Sequence, residues 1–261
     1  MRKSAVIMPL VALLAGVLGM FVRRRELATV FDSATGLAES YAPSSVLLIS
    51  LSAVIIMLSV VIAVVVSGRS KAERDYTRAF EPDSFLYVGA SFVFGVGWLA
   101  AVVLQFIRLR SVGIMTIIDW FFMLLAAIAA VSVIILAIGA YTRRRGSGMI
   151  VFSIIPSLFF CYWLIILYKD NATNPVLLDY CYQSLAIAAA ALSFYFAAGY
   201  AFKKAAVGWT LFSYLITIFF CVVVLADSVG LPIRLMFGII AVVSALNANA
   251  FVRNLKDKDE K

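Results

Sequence analysis

The 261-residue sequence contains no histidine. That absence removes zinc sites built on imidazole, haem with a proximal histidine, and every Ser-His-Asp or Cys-His catalytic pair. Charge is scarce as well: Asp, Glu, Lys and Arg supply 14% of the chain, against about 25% in an ordinary soluble domain. The three cysteines, Cys161, Cys181 and Cys221, sit in apolar runs without any CxxC spacing. They read as buried free thiols, not as a disulfide framework or a metal set. No sequence pattern for a cofactor or a metal is present, and none is expected to be bound.

What the chain has in excess is hydrophobicity: 64% of its residues are apolar and the mean hydropathy is +1.04. A soluble domain of this size has too few charges to cover so much apolar surface. A soluble Rossmann enzyme, a TIM barrel and a nucleic-acid module are therefore excluded. The formal net charge of +8 then reads as basic loops against an anionic leaflet, with membrane lipids and no nucleic acid as partners.

Eight apolar stretches stand out: about Ala5 to Val22, Val46 to Ser67, Phe85 to Ile107, Ile117 to Tyr141, Met149 to Tyr168, Tyr180 to Phe202, Gly208 to Ala226 and Leu231 to Val252. At about 1.5 Å rise per residue each crosses a hydrocarbon core of roughly 30 Å. Lipid offers no partner to an open backbone, so these spans must be helices. The expected fold is all-α, a polytopic transmembrane bundle of about eight spans in one integral membrane domain over residues 1–252. A charged cytoplasmic tail over 253–261 follows, read as frayed and solvated. Arg2 and Lys3 before the first apolar run also fit a signal peptide, which would leave seven spans. Arg23, Arg24 and Arg25 directly after the run, with no small-residue cleavage motif, favour a retained helix. The triple arginine is placed on an interfacial helix over Glu26 to Glu39, whose apolar residues are Leu27, Val30, Phe31 and Leu37.

Alternating the spans across the bilayer defines two faces. Side A, with the N-terminus, the even loops and the tail, collects fifteen of the 22 Lys and Arg; side B collects six. The basic excess makes side A cytoplasmic, with both termini there, in a cell (plasma or inner) membrane of bacterial type. Asn171-Ala172-Thr173 fits a glycosylation sequon on side B, but the minimal loops fit a bacterial inner-membrane protein equally well.

Polar residues inside the spans are few. Asp119 and Arg234 are the charges within them, both near side B. Side B also gathers Asp170, Asp179, Asp227, Tyr180, Tyr182, Gln183, Gln105, Trp163 and Tyr168. These residues together form a candidate outward-facing polar cavity, with Arg234 as an anion clamp or the partner of an aspartate. The plainer reading is a headgroup belt, with Asp119 a first-turn helix cap and Arg234 snorkelling outward. Small residues on the sixth span (Ala186, Ala188 to Ala191, Ala197, Ala198, Gly199) and the third (Ala90, Gly95, Gly97, Ala100, Ala101) predict close helix contacts. Pro156 predicts a bend in the fifth span.

No catalytic residue is identified, and an enzyme is not expected. The functional expectations are a transporter, or a transporter subunit, for a small or lipid-like solute; a non-catalytic scaffold, sensor or assembly component with a membrane-protein partner; and an intramembrane lipid-modifying enzyme. The topology is directly testable. Reporter fusions after Lys261 and within 143–148 are expected to read as cytoplasmic; a periplasmic signal at either position reverses the orientation.

Overall fold

The computed structural model describes residues 2–30, 42–113, 115–143 and 147–257. Eight helices are long and apolar enough to cross a membrane: α1 (Arg2–Thr29), α2 (Pro43–Arg69), α4 (Phe85–Val112), α5 (Ile117–Tyr141), α6 (Ser147–Asp170), α7 (Leu177–Ala201), α8 (Val207–Val223) and α9 (Leu231–Arg253). A one-turn helix, α3 (Tyr76–Ala79), lies in the loop after α2, and a 3-10 turn over Val224–Ala226 ends α8. The protein is a multi-pass all-α membrane bundle, as the apolar runs require.

Helix pairing gives the architecture. α4 packs on α5, α5 on α6, α6 on α7, α7 on α8, α8 on α9, and α9 returns to α4. These six helices close a ring. α1 and α2 pack on each other and on the outer side of α8, and α1 also reaches α9. Helix α8 is therefore enclosed, and thirteen of its seventeen residues are buried.

The packing follows the logic of a lipid solvent. Large side chains gain nothing by leaving the hydrocarbon, so helices approach through small ones. On α2 the buried residues are Ser45, Leu48, Ser52, Ser59 and Ala63, with the serines at heptad intervals, while Met57, Val61 and Val64 face outward. Gly16 and Gly19 of α1 touch α8 so closely that a Cβ there would lie 2.9 Å from Val222 Cβ and 2.7 Å from Val223 Cγ2. On α7, Ala186, Ala189, Ala190, Ala197 and Ala198 are buried. Pro156 of α6 is buried too, and next to it Ser157 Oγ donates to Ala191 O of α7 at 3.1 Å.

The inside of the ring is filled with aromatic side chains. Trp98 of α4, Phe122 of α5, Phe159, Phe160 and Trp163 of α6, Phe194 of α7 and Phe237 of α9 form a continuous chain of ring contacts, from 4.9 Å between Trp163 and Phe237 to 6.2 Å between Phe160 and Trp163.

Two expectations about the chain ends need correction. The first helix does not stop at Val22: α1 runs on through the triple arginine to Thr29, because Arg23 turns inward to buried partners. The remainder of the expected interfacial helix, with Phe31 and Leu37, lies outside the described residues. The tail is held in place through Asp257, and residues 258–261 of the expected solvated tail lie outside the described residues. Lys256–Asp257 form a strand, β2, antiparallel to β1 (Ser70–Lys71), with Ser70 opposite Asp257 and Lys71 opposite Lys256. Asn254 Nδ2 donates to Glu81 O at 2.8 Å, Lys256 Nζ to Glu73 Oε1 at 2.6 Å, and Arg253 pairs with Asp83. The tail is thereby tied to the loop after α2, on the face where alternation of the spans puts both.

Close packing makes a sharp expectation. Ala190→Leu adds volume at a residue 1% exposed, and overpacking of this kind costs about 1–3 kcal/mol. Ala186 and Ala197 are equally buried and would suffer the same way, so the neutral comparison is Leu192→Ala on the lipid side. Thermal unfolding in detergent should show a lowered midpoint for Ala190→Leu and little change for Leu192→Ala; equal midpoints would place Ala190 against lipid.

Candidate functional site

The polar residues of side B converge around a group absent from the expected cavity. Arg23 lies near the end of α1, one helical turn before Glu26, a spacing that puts both side chains on one face. Arg23 Nη1 donates to Glu26 Oε2 at 2.8 Å, Nε to Asp227 Oδ1 at 2.7 Å and Nη2 to Asp179 O at 2.9 Å. Its guanidinium also lies 5.0 Å from the Tyr182 ring centroid, within cation–π range. Arg23 and Glu26 are 0% exposed and Asp227 2%. Gln183 Nε2 donates to the other Asp227 oxygen, Oδ2, at 3.1 Å. Two helices, α1 and α7, and the α8–α9 turn thus meet on one forked cation, a geometry that a lysine ammonium does not reproduce.

Arg234 joins the cluster from α9 in a different role. Its Nη2 donates to the backbone carbonyl of Asp227 at 2.8 Å, so it braces the turn and leaves the carboxylate to Arg23. The end of the exposed Arg108 side chain of α4 lies over the same turn, against Gly230. Burial pushes the Asp227 carboxyl above its usual range, and the Arg23 charge with the hydrogen bonds from Arg23 and Gln183 only partly pulls it back.

Of the residues proposed from the sequence, the structure brings together Asp179, Tyr182, Gln183, Asp227 and Arg234. Asp119 is occupied elsewhere. It forms a capping box at the start of α5, its Oδ2 accepting from Thr116 N at 2.9 Å and from Thr116 Oγ1 at 2.6 Å. Trp163 belongs to the aromatic filling of the ring. Tyr168 is 73% exposed, and Asp170 is exposed at the end of α6. Gln105 and Tyr180 are half-buried; the Tyr180 carbonyl accepts from Ser184 Oγ at 3.2 Å. The residues that sequence reading missed are Arg23 and Glu26. Their i, i+3 spacing at the end of an apolar run was the available signal, but the neighbouring Arg24 and Arg25 made the group look like a solvated basic cluster.

Two described grooves lie elsewhere, on either end of α2. At side A a groove of about 700 Å³ opens between α2 and α8. Its apolar walls include Val60, Val64, Trp209 and Phe212, and its mouth carries Ser67, Ser70, Lys71 and Arg74. At side B a second groove of about 520 Å³ runs between α1 and α2, with Phe21, Val22 and Leu47 as apolar wall and Arg25 and Ser44 at the rim. Neither groove is lined by the side-B polar set.

Comparison with family models, with curated proteins and with solved structures finds no match to this chain.

The cluster predicts an asymmetry between its members. Arg23→Gln strands two buried carboxylates and is expected to cost about 3–5 kcal/mol. Asp227→Asn keeps the shape and removes a charge whose burial is unfavourable, so it should cost clearly less. The raised Asp227 titration has a definite sign. The folded state holds the proton more tightly than the unfolded state, so this group's contribution to stability grows as pH falls through its folded titration range and shrinks as pH rises. Unfolding midpoints measured across that range should show this component in the wild type and not in Asp227→Asn; identical pH profiles would remove Asp227 as its source.

Proposed function

We propose that the chain is a transporter, or the membrane subunit of one, for a lipid-like solute that arrives sideways from the bilayer. The observation that carries this reading is the contrast between a ring whose interior is filled by seven aromatic side chains and two large grooves that open beside α2. A hydrophilic solute needs a wet path along the bundle axis. An amphiphile needs only an apolar wall for its tail and a polar rim for its head, and both grooves have that composition.

Helix α2 is the element suited to move. It contacts α1 and α8 through small side chains, and most of its surface faces outward. The two grooves lie at its opposite ends, one toward each face. A tilt of α2 would widen one groove while narrowing the other, which is the requirement for alternating access. The basic excess on side A supports placing the α2–α8 groove at the cytoplasmic leaflet.

Reconstitution tests the reading. Liposomes holding the protein and a fluorescent phospholipid in both leaflets are treated with a membrane-impermeant quencher. Transport is expected to expose the inner-leaflet pool, which stays protected in protein-free vesicles. Ser67 and Gly208 offer a lock on α2, since a Cβ at Gly208 would lie 3.3 Å from Ser67 Cβ, near the spacing of a disulfide. Oxidised Ser67→Cys/Gly208→Cys should stop the exposure, and reduction should restore it. An inner pool that stays protected with the wild type overturns the transport reading. Exposure that continues in the oxidised variant overturns the role of α2.

A further inference from the structure

We infer that the side-A groove between α2 and α8 is a binding site for an anionic phospholipid of that leaflet, its phosphate held by Lys71 and Arg74 and an acyl chain lying along Val60, Val64 and Phe212. The inference deepens the lateral reading above by naming the ligand class and the site, and it rests on that reading only for what happens after binding.

Three observations support it. The first is the order of polarity along the groove. Its walls toward the membrane interior are apolar, and its charged residues lie together beyond the end of α2, where strand β1 leads away from the helix. A phospholipid has the same order, tail first and charge last. The second is the sign of the charge. Lys71 and Arg74 line the mouth, and no carboxylate is among the lining residues. Lys203 and Lys204 immediately precede the lining residues Ala205 and Ala206 and extend the basic edge. A zwitterionic headgroup gains less from such a rim than an anionic one, because its own cation is repelled.

The third is the wall itself. Trp209 is 62% exposed and Val64 66%, so a large, upright apolar surface stands open beside the cations. Trp209 lies at the first turn of α8, at the level where indole rings occupy the membrane interface, and it is fixed by stacking on Phe196 of α7 at 5.9 Å. At Gly208 the two walls meet closely, 3.3 Å from Ala63 O to a Cβ placed there, so the groove is closed along that edge in this state. A groove of about 700 Å³ is of the size that accommodates an acyl chain and a headgroup phosphate.

Lipid titration followed by native mass spectrometry of the delipidated protein tests the inference. The probes are phosphatidylglycerol, phosphatidylcholine with the same acyl chains, and glycerol 3-phosphate as the headgroup without tails. Wild type should bind phosphatidylglycerol in preference to phosphatidylcholine and should bind glycerol 3-phosphate far more weakly than either lipid. Each cation near the surface is worth about fivefold in anionic-lipid affinity, so Lys71→Gln/Arg74→Gln should lose up to about thirtyfold for phosphatidylglycerol, with phosphatidylcholine unchanged. Val64→Trp, which fills the groove without touching its charge, should weaken both lipids. Arg110→Gln/Lys169→Gln removes the same charge from exposed positions on the other face and should leave the preference intact.

Equal binding of the two lipids, or a preference that survives Lys71→Gln/Arg74→Gln, overturns the site. Equal losses in Arg110→Gln/Lys169→Gln overturn it too, by reducing the effect to net charge. Tight binding of glycerol 3-phosphate assigns the cations to a soluble anion instead of a lipid. The transport reading fails separately: selective binding without lipid movement in liposomes leaves the site and removes the transporter, and movement of fluorescent phosphatidylglycerol in Lys71→Gln/Arg74→Gln at the wild-type rate leaves the transporter and removes the side-A groove from its path.

Discussion

Everything in this bundle is arranged around the close enclosure of α8. A helix in lipid gains no hydrophobic free energy by meeting another helix, so what holds α8 is contact between backbones brought near enough for dispersion to act along their whole length. That demands small residues at the contacts: glycines at positions 16 and 19 of α1 against Val222 and Val223, and Ala63 and Ser67 of α2 against Gly208. Small residues on the neighbours thus meet a helix whose own buried side chains are mostly large, Leu211, Ile216, Ile218, Phe219, Phe220 and Val222 among them. Helix α8 itself carries Thr210, Ser213 and Thr217 as buried residues, each hydroxyl donating to a backbone carbonyl one turn earlier. Such internal bonds let a polar residue sit at a helix contact without leaving an unsatisfied group.

On the inner side of α8 the geometry is different. Closing six helices into a ring leaves a space in the middle too wide for small residues to fill, and aromatic side chains occupy it. Phe159, Phe160 and Trp163 come from one stretch of α6, reaching Trp98, Phe122, Phe194 and Phe237 on four other helices. Offset and edge-to-face contacts among them are worth about 0.5–1.5 kcal/mol each beyond the area they bury. Toward side A the ring encloses only a small void, lined by Tyr87, Ser91, Phe194 and Asn247, where Tyr87 Oη donates to Asn247 Oδ1 at 2.7 Å. Charged chemistry and larger open volume are displaced to the ring's periphery: the ion cluster at the side-B end and the two grooves beside α2.

How far these features can be read from the sequence depends on their range. The spans are legible because lipid imposes one solution on any long apolar run, and the pairing of faces follows from alternation alone. The meeting of Asp179, Gln183, Asp227 and Arg234 at one membrane level is legible for the same reason, since each stands at the end of a span. Their partner was not. Arg23 stands next to Arg24 and Arg25, and nothing local distinguishes the one that turns inward. Its burial is decided by Asp227, 204 positions away in the chain. Asp119 is legible for the opposite reason: its partner, Thr116, lies three residues away, and the first-turn cap that the sequence offers as its plainer reading is the contact it makes. The grooves had no sequence signal because they are made by what two helices leave uncovered. The tethered tail was hidden because a two-residue ladder has no pattern to detect.

The ion cluster also explains why two accessory helices packed on the same central helix are not equivalent. Helix α1 is fixed at two levels. Gly16 and Gly19 seat it against α8, and about one turn further on Arg23 ties it to the α8–α9 turn and to α7. Shifting α1 by even a fraction of a turn would carry Arg23 and Glu26 together and pull the buried guanidinium off the Asp227 carboxylate and the Asp179 carbonyl, a loss far larger than any single apolar contact provides. Helix α2 buries serines, Leu48 and Ala63, and the bond of Ser52 Oγ runs to Leu48 O within α2 itself. A displacement of α2 exchanges dispersion contacts with protein for dispersion contacts with lipid, which differ little in free energy. The same comparison applies along the whole groove: an acyl chain lying against Val60, Val64 and Phe212 replaces other acyl chains at almost no cost, so selectivity has to come from the rim, where Lys71 and Arg74 meet the headgroup. A bundle built this way holds α1 as part of its frame and leaves α2 as the one spanning helix whose position a bound amphiphile can set.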